Sequence, residues 1–491
     1  MIRLNTTNLA RLPKGITPPA YARAGLSPGI VHIGCGNFHR AHQAVYLDDL
    51  FALGLGHDFA ILGAGVRPAD AGMRDQLCAQ DYLSTVIELA PGGAQTARII
   101  GAMTGFVPVA KGNAALIAAM AEPAIKIVSL TVTEGGYYID PTTGTFSPAH
   151  PDVQADAANP DAPDTAFGAI IAALRLRRSA NLMPFTVMCC DNIPHNGHVT
   201  RDAVVGLCRL SDPLFADWIA QNVAFPNSMV DRITPATGTR EIALAAAMGI
   251  DDAAPVTCEP FRQWVMEDNF PAGRPELERV GVTFTPHVDL YETMKIRILN
   301  GGHAIIAYPA GLQNIEFAHQ AMADPLIRAF LDRVLGAEVL PHVPAVPGQN
   351  LEDYKRLIIE RFSNPKIADT VRRLCLDGSN RQPKFILPAL QDGLAAGTDV
   401  AGLTLLSAIW CRYCFGTTED GFEIPANDPN WQQLTKRANA ARTAPVEWLK
   451  MTEVYGDIAD NAAFVASFSA ALQAVWQDGS KAAINAYLSR Q

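Results

Sequence analysis

Residues 295–303 read KIRILNGGH, and the apolar text continues as AIIAYPAGL. Lys295, Asn300 and His303 are set among Ile, Leu and Gly, with Arg297 the only other polar residue of the nine. On a helix turning ~100° per residue, Asn300 lies about 140° round from Lys295, His303 about 80° and Glu292 about 60°. All four share one half of the helix. Leu299 and Ile296 lie on that half too, so it is not a plain solvated face. A polar cleft with apolar walls explains the mixture. There a desolvated lysine becomes a usable general base, an asparagine donates to a developing alkoxide, and a histidine orients a hydroxyl. The competing reading is a helix end, with NGG as a C-terminal cap, a snorkelling lysine and a capped histidine. Spacing alone leaves the two level.

A second polar stretch, CCDNIPHNGH (189–198), follows the apolar run FTVMCC. Asp191 and Asn192 fall at the C-terminal end of a predicted strand, where parallel sheets place ligands. An Asx-turn would use the same residues. Two such segments, one ending a strand and one on a helix of the other half, imply a cleft between domains. The third stretch is IVHIGCGNFHRAH. Gly34 and Gly36 follow a predicted strand and open a helix, as a pyrophosphate-binding turn does. Ile33, Gly34, Gly36, Asn37, Phe38, His39 and Arg40 are the expected cofactor contacts. Arg40 is expected to clamp a phosphate. His39 replaces the third glycine of the usual motif, so a plain turn or a methyltransferase loop fits as well. Asp70, the first carboxylate after the next strand, is expected to hold the adenosine ribose and so to favour NAD, although Arg67 nearby could welcome a 2′-phosphate.

The elements that must position these groups are legible from periodicity. GIVHIG, DFAILGAG, IKIVSLTV and FTVMCC are apolar runs bounded by Gly, Pro or Asp. Strands without polar alternation are covered on both faces, which predicts a doubly wound α/β sheet. HRAHQAVYLDDLFAL, NAALIAAMA and TAFGAIIAALRLRRSA are the intervening helices. The text turns mainly helical near residue 287, so the expected domains are 1–286 and 287–491. HAIIAYPAGLQNIEFAHQAMA and AAFVASFSAALQAVWQDG are long helices of the second half. The residues from FADWIAQ to VMEDNF are expected to bridge the halves.

At 491 residues the chain exceeds one hydrophobic core. Its net charge of −10 excludes a nucleic-acid binder, since the densest basic cluster is RLRR at 175–178, read as a solvated helix end. The N-terminus has no apolar signal region, and no uncharged run approaches the ~20 residues of a membrane span. The nine cysteines are scattered. Cys411 and Cys414 have C-x-x-C spacing without a second pair, and buried free thiols in a reducing cytoplasm are the expectation.

Seven segments in order, HIGCGNFHRAHQAVYLDDL, SLTVTEGGYYID, CDNIPHNG, PNSMVDRITP, CEPFRQWVMED, KIRILNGGH and RFSNPKIADTVRRLCLDGSNRQPKF, resemble the polyol-specific long-chain dehydrogenase/reductase family. The resemblance runs from about residue 20 to 390. It implies a Rossmann-type N-terminal domain, a mostly α-helical C-terminal domain, and zinc-independent, NAD-linked interconversion of a polyol and a ketose, with D-mannitol and D-fructose the expected pair. It further implies Lys295 as general base and Asn300 with Asn192 as the oxyanion hole. His303, Asp231, Arg373 and Arg381 would bind substrate, and Glu292 would line a proton path. The sequence departs where Gly302 and Arg381 replace the serine and lysine of the family's mannitol-oxidising members. Hexuronate reduction of the fructuronate type, arabinitol 4-oxidation and a non-catalytic NAD sensor are the alternatives. The family includes monomers.

Overall fold

The computed structural model describes residues 1–140 and 143–490. The chain divides into two compact units, Met1–Asp289 and Leu290–Gln491. In the first, five strands form a parallel sheet: β1 (Pro28–Ile33), β2 (Ala60–Ala64), β3 (Met103–Phe106), β4 (Ile127–Leu130) and β5 (Thr186–Cys189), ordered β3-β2-β1-β4-β5. The order reverses beside β1, so the C-terminal ends of β1 and β4 form the switch point where such sheets bind ligands. Alternate residues feed two cores. Val31, Val128 and Val187 pack beneath the helices α4 (Ala114–Ala121) and α5 (Ala166–Ser179). Ile30, Ile127 and Met188 pack against α2 (Gln43–Ala52) and Trp264. Burial on both faces is why these strands read as unbroken apolar runs.

Three expectations are corrected in this unit. The helix expected over HRAHQAVYLDDLFAL is two: α1 (Asn37–Ala41) ends at His42, whose φ of −122° and ψ of −88° are not helical, before α2 begins. RLRR is not a wholly solvated end, because Arg177 is buried and donates to the carbonyls of Met120, Glu122 and Met183. The segment expected to bridge the halves instead builds the first unit: β6 (Ser228–Asp231) pairs antiparallel with Gln263–Met266, and Val256–Cys258 joins a mixed sheet through Ser84–Leu89.

The second unit is helical. The helix Ala401–Cys414 is buried from Gly402 onward, and Glu338 accepts hydrogen bonds from its Gly402 and Leu403 amides (2.7 and 2.8 Å). Cys411 and Cys414 point into this core as free thiols, and of the nine free cysteines only Cys78 is exposed. The stretch HAIIAYPAGLQNIEFAHQAMA, expected as one helix, breaks after Leu312 and resumes at Ala318–Ala323. Ala462–Leu488 is interrupted at Gly479, whose φ is 85°. Among the described residues no single helix is long and apolar enough to cross a membrane.

Candidate active site

The glycine turn after β1 is set by sterics. Gly34 has φ +102°, and a Cβ there would lie 2.1 Å from the Thr131 carbonyl oxygen, so only glycine fits. A Cβ on Gly36 meets nothing within 4 Å. That open side, at the switch point, fits the pyrophosphate of a dinucleotide. The Gly34 carbonyl accepts from Thr131 Oγ1 at 2.6 Å and lies 3.1 Å from His32 Nε2, whose Nδ1 is 2.7 Å from Ser129 Oγ.

Two side-chain expectations for this loop are corrected. His39 is buried and stacks on His32, with ring centroids 3.5 Å apart, so it replaces the third glycine by packing against the strand and not by facing a cofactor. Arg40 is also buried. Its guanidinium donates to the Ala254 carbonyl and to Asn37 Oδ1, since a buried cation needs acceptors, and it is not available as a phosphate clamp. Asn37 in turn donates to Pro235 O (2.9 Å) and Thr237 Oγ1 (2.8 Å), and Phe38 stacks on His42. Ile33 is core. What these residues can offer a dinucleotide is therefore backbone. Burial pushes the imidazoles of His32 and His42 down to about 3, and that of His39 well below its ordinary value.

Asp70 opens α3 (Asp70–Cys78) and folds back on the end of β2. Its Oδ2 accepts from the amides of Val66 (3.0 Å) and Arg67 (2.9 Å), which brings the carboxylate to the strand end despite the six-residue separation. Arg67 is exposed, 3.9 Å from Asp70 Oδ1.

At the end of β5, Asp191 is not the centre of an Asx-turn. Its carboxylate accepts from Val132 N, Thr133 N and Tyr137 OH, which ties β5 to the loop after β4. Burial raises its pKa above the ordinary carboxylate value, with those three hydrogen bonds opposing. Asn192 is exposed, and Asp231 is buried at the end of β6.

In the second unit, Lys295–Asn300 is a π-helix, entered from Val288–Met294 and continued by Gly301–Leu312. The reading of NGG as a helix end is thus excluded, since Gly301 has helical angles (φ −61°, ψ −43°). The 100°-per-residue spacing is corrected too. With i→i+5 hydrogen bonds, residues five apart take the near-eclipsed relation that i and i+4 have in an α-helix. Asn300 therefore lies about one turn on from Lys295 on the same side of the helix, and not 140° away. Lys295 and Glu292 are 6% and 7% exposed. The buried Asn300 Oδ1 has no hydrogen-bond partner among the described residues. His303 stacks on Phe362 with centroids 4.2 Å apart. Gly302 makes room for that ring, because a Cβ on it would lie 3.1 Å from Phe362 Cε2.

The two arginines differ. Arg373 spends Nε (2.6 Å) and Nη2 on the Asp369 carboxylate, and that partner more than offsets burial, so its pKa is raised. Arg381 Nη1 makes long contacts, 3.4 Å each, to the carbonyls of Arg373 and Leu374. Among the described residues no group of His, Cys, Asp and Glu could hold a metal ion. Sequence reasoning missed β3, the π-helix, and the buried Asn196, whose only local signal is an Asn-Gly pair opening a helix.

A doubly wound sheet with a glycine turn at its switch point, followed by a helical unit with a buried lysine, defines a dinucleotide-fold protein of two units. Within that class the chain belongs to the mannitol dehydrogenase family: the family models for the mannitol dehydrogenase Rossmann domain and C-terminal domain match residues 28–279 and 287–476. It is 66% identical to the mannitol 2-dehydrogenase of Cereibacter sphaeroides over 97% of this chain and 100% of that one. It is similar to the Pseudomonas fluorescens mannitol 2-dehydrogenase solved as a ternary complex with NAD and D-mannitol (41% identity, TM-score 0.88, all of both chains). A D-sorbitol dehydrogenase in substrate-free form is 35% identical, with a TM-score of 0.91 over 98% of this chain and 100% of that one.

Proposed function

We propose that this protein is an NAD-dependent polyol dehydrogenase that oxidises D-mannitol to D-fructose. The observation that carries the chemistry is the π-helix, which holds buried Lys295 at one end and Asn300, whose Oδ1 has no hydrogen-bond partner among the described residues, at the other. Bound NAD supplies a hydride acceptor at its nicotinamide ring. Lys295, neutral before the step, takes the proton of the reacting secondary hydroxyl. The amides of Asn192 and Asn300 meet the charge that builds on that oxygen. His303 and Asp231 hold further hydroxyls, Arg373 and Arg381 bind the rest of the chain, and Glu292 passes the released proton outward. Gly34, Gly36 and the backbone of residues 37–40 hold the dinucleotide, and Asp70 reads its ribose. The domains proposed for these two tasks are 1–286 and 287–491. The protein works in the cytoplasm, where its free thiols stay reduced, and as a monomer, binding neither nucleic acid nor membrane.

Arg381 decides the substrate test. Its planar fork suits either vicinal hydroxyls or a carboxylate. The 66% identity to a mannitol 2-dehydrogenase favours the hydroxyls. NADH oxidation is to be compared for fructose, fructuronate, tagaturonate and xylulose, and NAD reduction for mannitol, sorbitol and arabinitol. Fructose and mannitol are expected to dominate. A kcat/KM ratio of fructose to fructuronate below one would make Arg381 a carboxylate clamp. A silent panel would leave only an NAD sensor.

A further inference from the structure

Asn192 sits at the centre of a three-residue turn, closed by a 2.9 Å hydrogen bond from the Ile193 amide to the Asp191 carbonyl. In such a turn the backbone sets the direction in which the Cα–Cβ bond of the central residue leaves the chain. What holds the backbone is Asn196, the first residue of α6 (Asn196–Ser211), which is fully buried. Its Nδ2 lies within hydrogen-bond distance of four oxygens: Asp191 O (3.1 Å), Cys189 O (3.4 Å), Ser228 O (2.8 Å) and Ser228 Oγ (3.2 Å). Its Oδ1 accepts from Ser228 N at 2.8 Å, and Ser228 Oγ donates to Cys189 O at 2.6 Å.

One carboxamide therefore joins the end of β5, the turn carrying Asn192, and the first residue of β6, the strand that ends in Asp231. The start of α6 cannot back away from this junction or press closer to it. The amide of Gly197 donates to Asn227 Oδ1 (2.9 Å), and a Cβ on Gly197 would come within 2.6 Å of the Phe225 and Pro226 carbonyl oxygens. Helix capping does not account for these contacts, because Asn196 is the first helical residue and the N-cap position belongs to His195.

We propose that Asn196 is a positioning residue for catalysis. It sets the orientation of Asn192, and with it the donor that meets the developing oxyanion. This rests on the reading of Asn192 as that donor. A misplacement of about 1 Å in such a group lowers turnover on the order of 10²-fold, whereas cofactor binding, which uses the glycine turn after β1, is left alone.

The test is a double-mutant cycle on the full-length enzyme, following mannitol oxidation well below the melting temperature, with NAD affinity and melting temperature measured for every variant. Asn196→Ala is expected to lower kcat about 10²-fold with NAD affinity within twofold of wild type. Asn192→Ala should lower kcat comparably, and the double variant should be no slower than Asn192→Ala. Ser228→Ala, which removes one strand of the junction and leaves Asn196, should show a smaller fall with the same non-additivity, and it carries the cycle if Asn196→Ala does not fold. Multiplying effects in the double variant, or kcat within threefold of wild type for both Asn196→Ala and Ser228→Ala, would overturn the positioning role. A fully active Asn192→Ala is a different failure: it removes the oxyanion reading itself, and the proposal with it.

Discussion

In the proposed reaction Lys295 accepts the proton of the reacting hydroxyl, so its removal acts on the chemical step and not on cofactor binding. Lys295→Ala is expected to lower kcat by roughly 10²–10⁴-fold while NAD affinity stays within twofold, because a base at the reacting carbon acts in the transition state. Pre-steady-state hydride transfer and NAD titration check this, and a variant within tenfold of wild type would take lysine out of the base role. Asp70 needs a more conservative change, since its Oδ2 also holds the amides of Val66 and Arg67. Asp70→Asn keeps an acceptor for those amides and removes only the charge. NADP use should rise relative to NAD as repulsion of the 2′-phosphate disappears. An unchanged ratio of kcat/KM for the two cofactors would make Asp70 a loop support and nothing more.

At the level of elements, the glycine turn and the helix Ala401–Cys414 are each held by a partner distant in sequence. Gly34→Ala places a methyl group against the Thr131 carbonyl at a φ that L-residues take only with a penalty of about 1–2 kcal/mol. The obstacle is backbone, so the turn itself must shift. Equilibrium titration should show NAD affinity falling at least tenfold, with the Lys295 chemistry intact at saturating NAD. Glu338 performs for Ala401–Cys414 what an N-cap does locally, and it also accepts from Tyr487 OH at 2.7 Å. Glu338→Ala leaves two amides and a hydroxyl without their acceptor, and chemical denaturation should show a loss of about 1–3 kcal/mol or more. A change under 0.5 kcal/mol would mean that water replaces the carboxylate.

Over the whole molecule, the buried histidines set a pH limit on stability. His32 and His42 have imidazoles depressed to about 3, and His39 is depressed as well, all through burial first. A base whose folded pKa is lowered stabilises the fold above its unfolded value, near 6.5, and that stability is lost as pH falls from there towards 3. Each histidine contributes up to about 1.4 kcal/mol per pH unit in this window. Denaturation midpoints are therefore expected to drop steeply between pH 6.5 and 4.5. His32→Gln, which keeps a hydrogen-bonding side chain, should flatten that slope even if it lowers the midpoint at pH 8. The raised carboxyls of Asp48, Asp191 and Glu338 act in the opposite sense, gaining stability as they protonate. An unaltered slope in His32→Gln would assign the acid loss to other groups.

Much of this protein was legible without coordinates. The four apolar runs with Val, Ile and Phe announced β1, β2, β4 and β5, because strands covered on both faces carry no polar alternation, and a local pattern suffices to read them. The change to helical periodicity near residue 287 was equally local. The segment KIRILNGGH marked itself by setting polar groups in apolar text, and Gly34 by its place after a strand. Register and partnership were not legible. Met103–Phe106 reads MTGF, and the half-buried Thr104 and Gly105 at its centre break the apolar run that marks the other strands. The π-helix changes the hydrogen-bond step from four residues to five, and composition does not show which step the packed neighbours will enforce. Arg40 and His39 read as cofactor contacts from their position, but buried acceptors at Ala254 and the His32 ring took them inward. The chain's periodicities and residue types determined which segments fold and which carry chemistry. Only the tertiary structure decided where those side chains point, because their partners lie tens to hundreds of residues away and are brought near by packing alone.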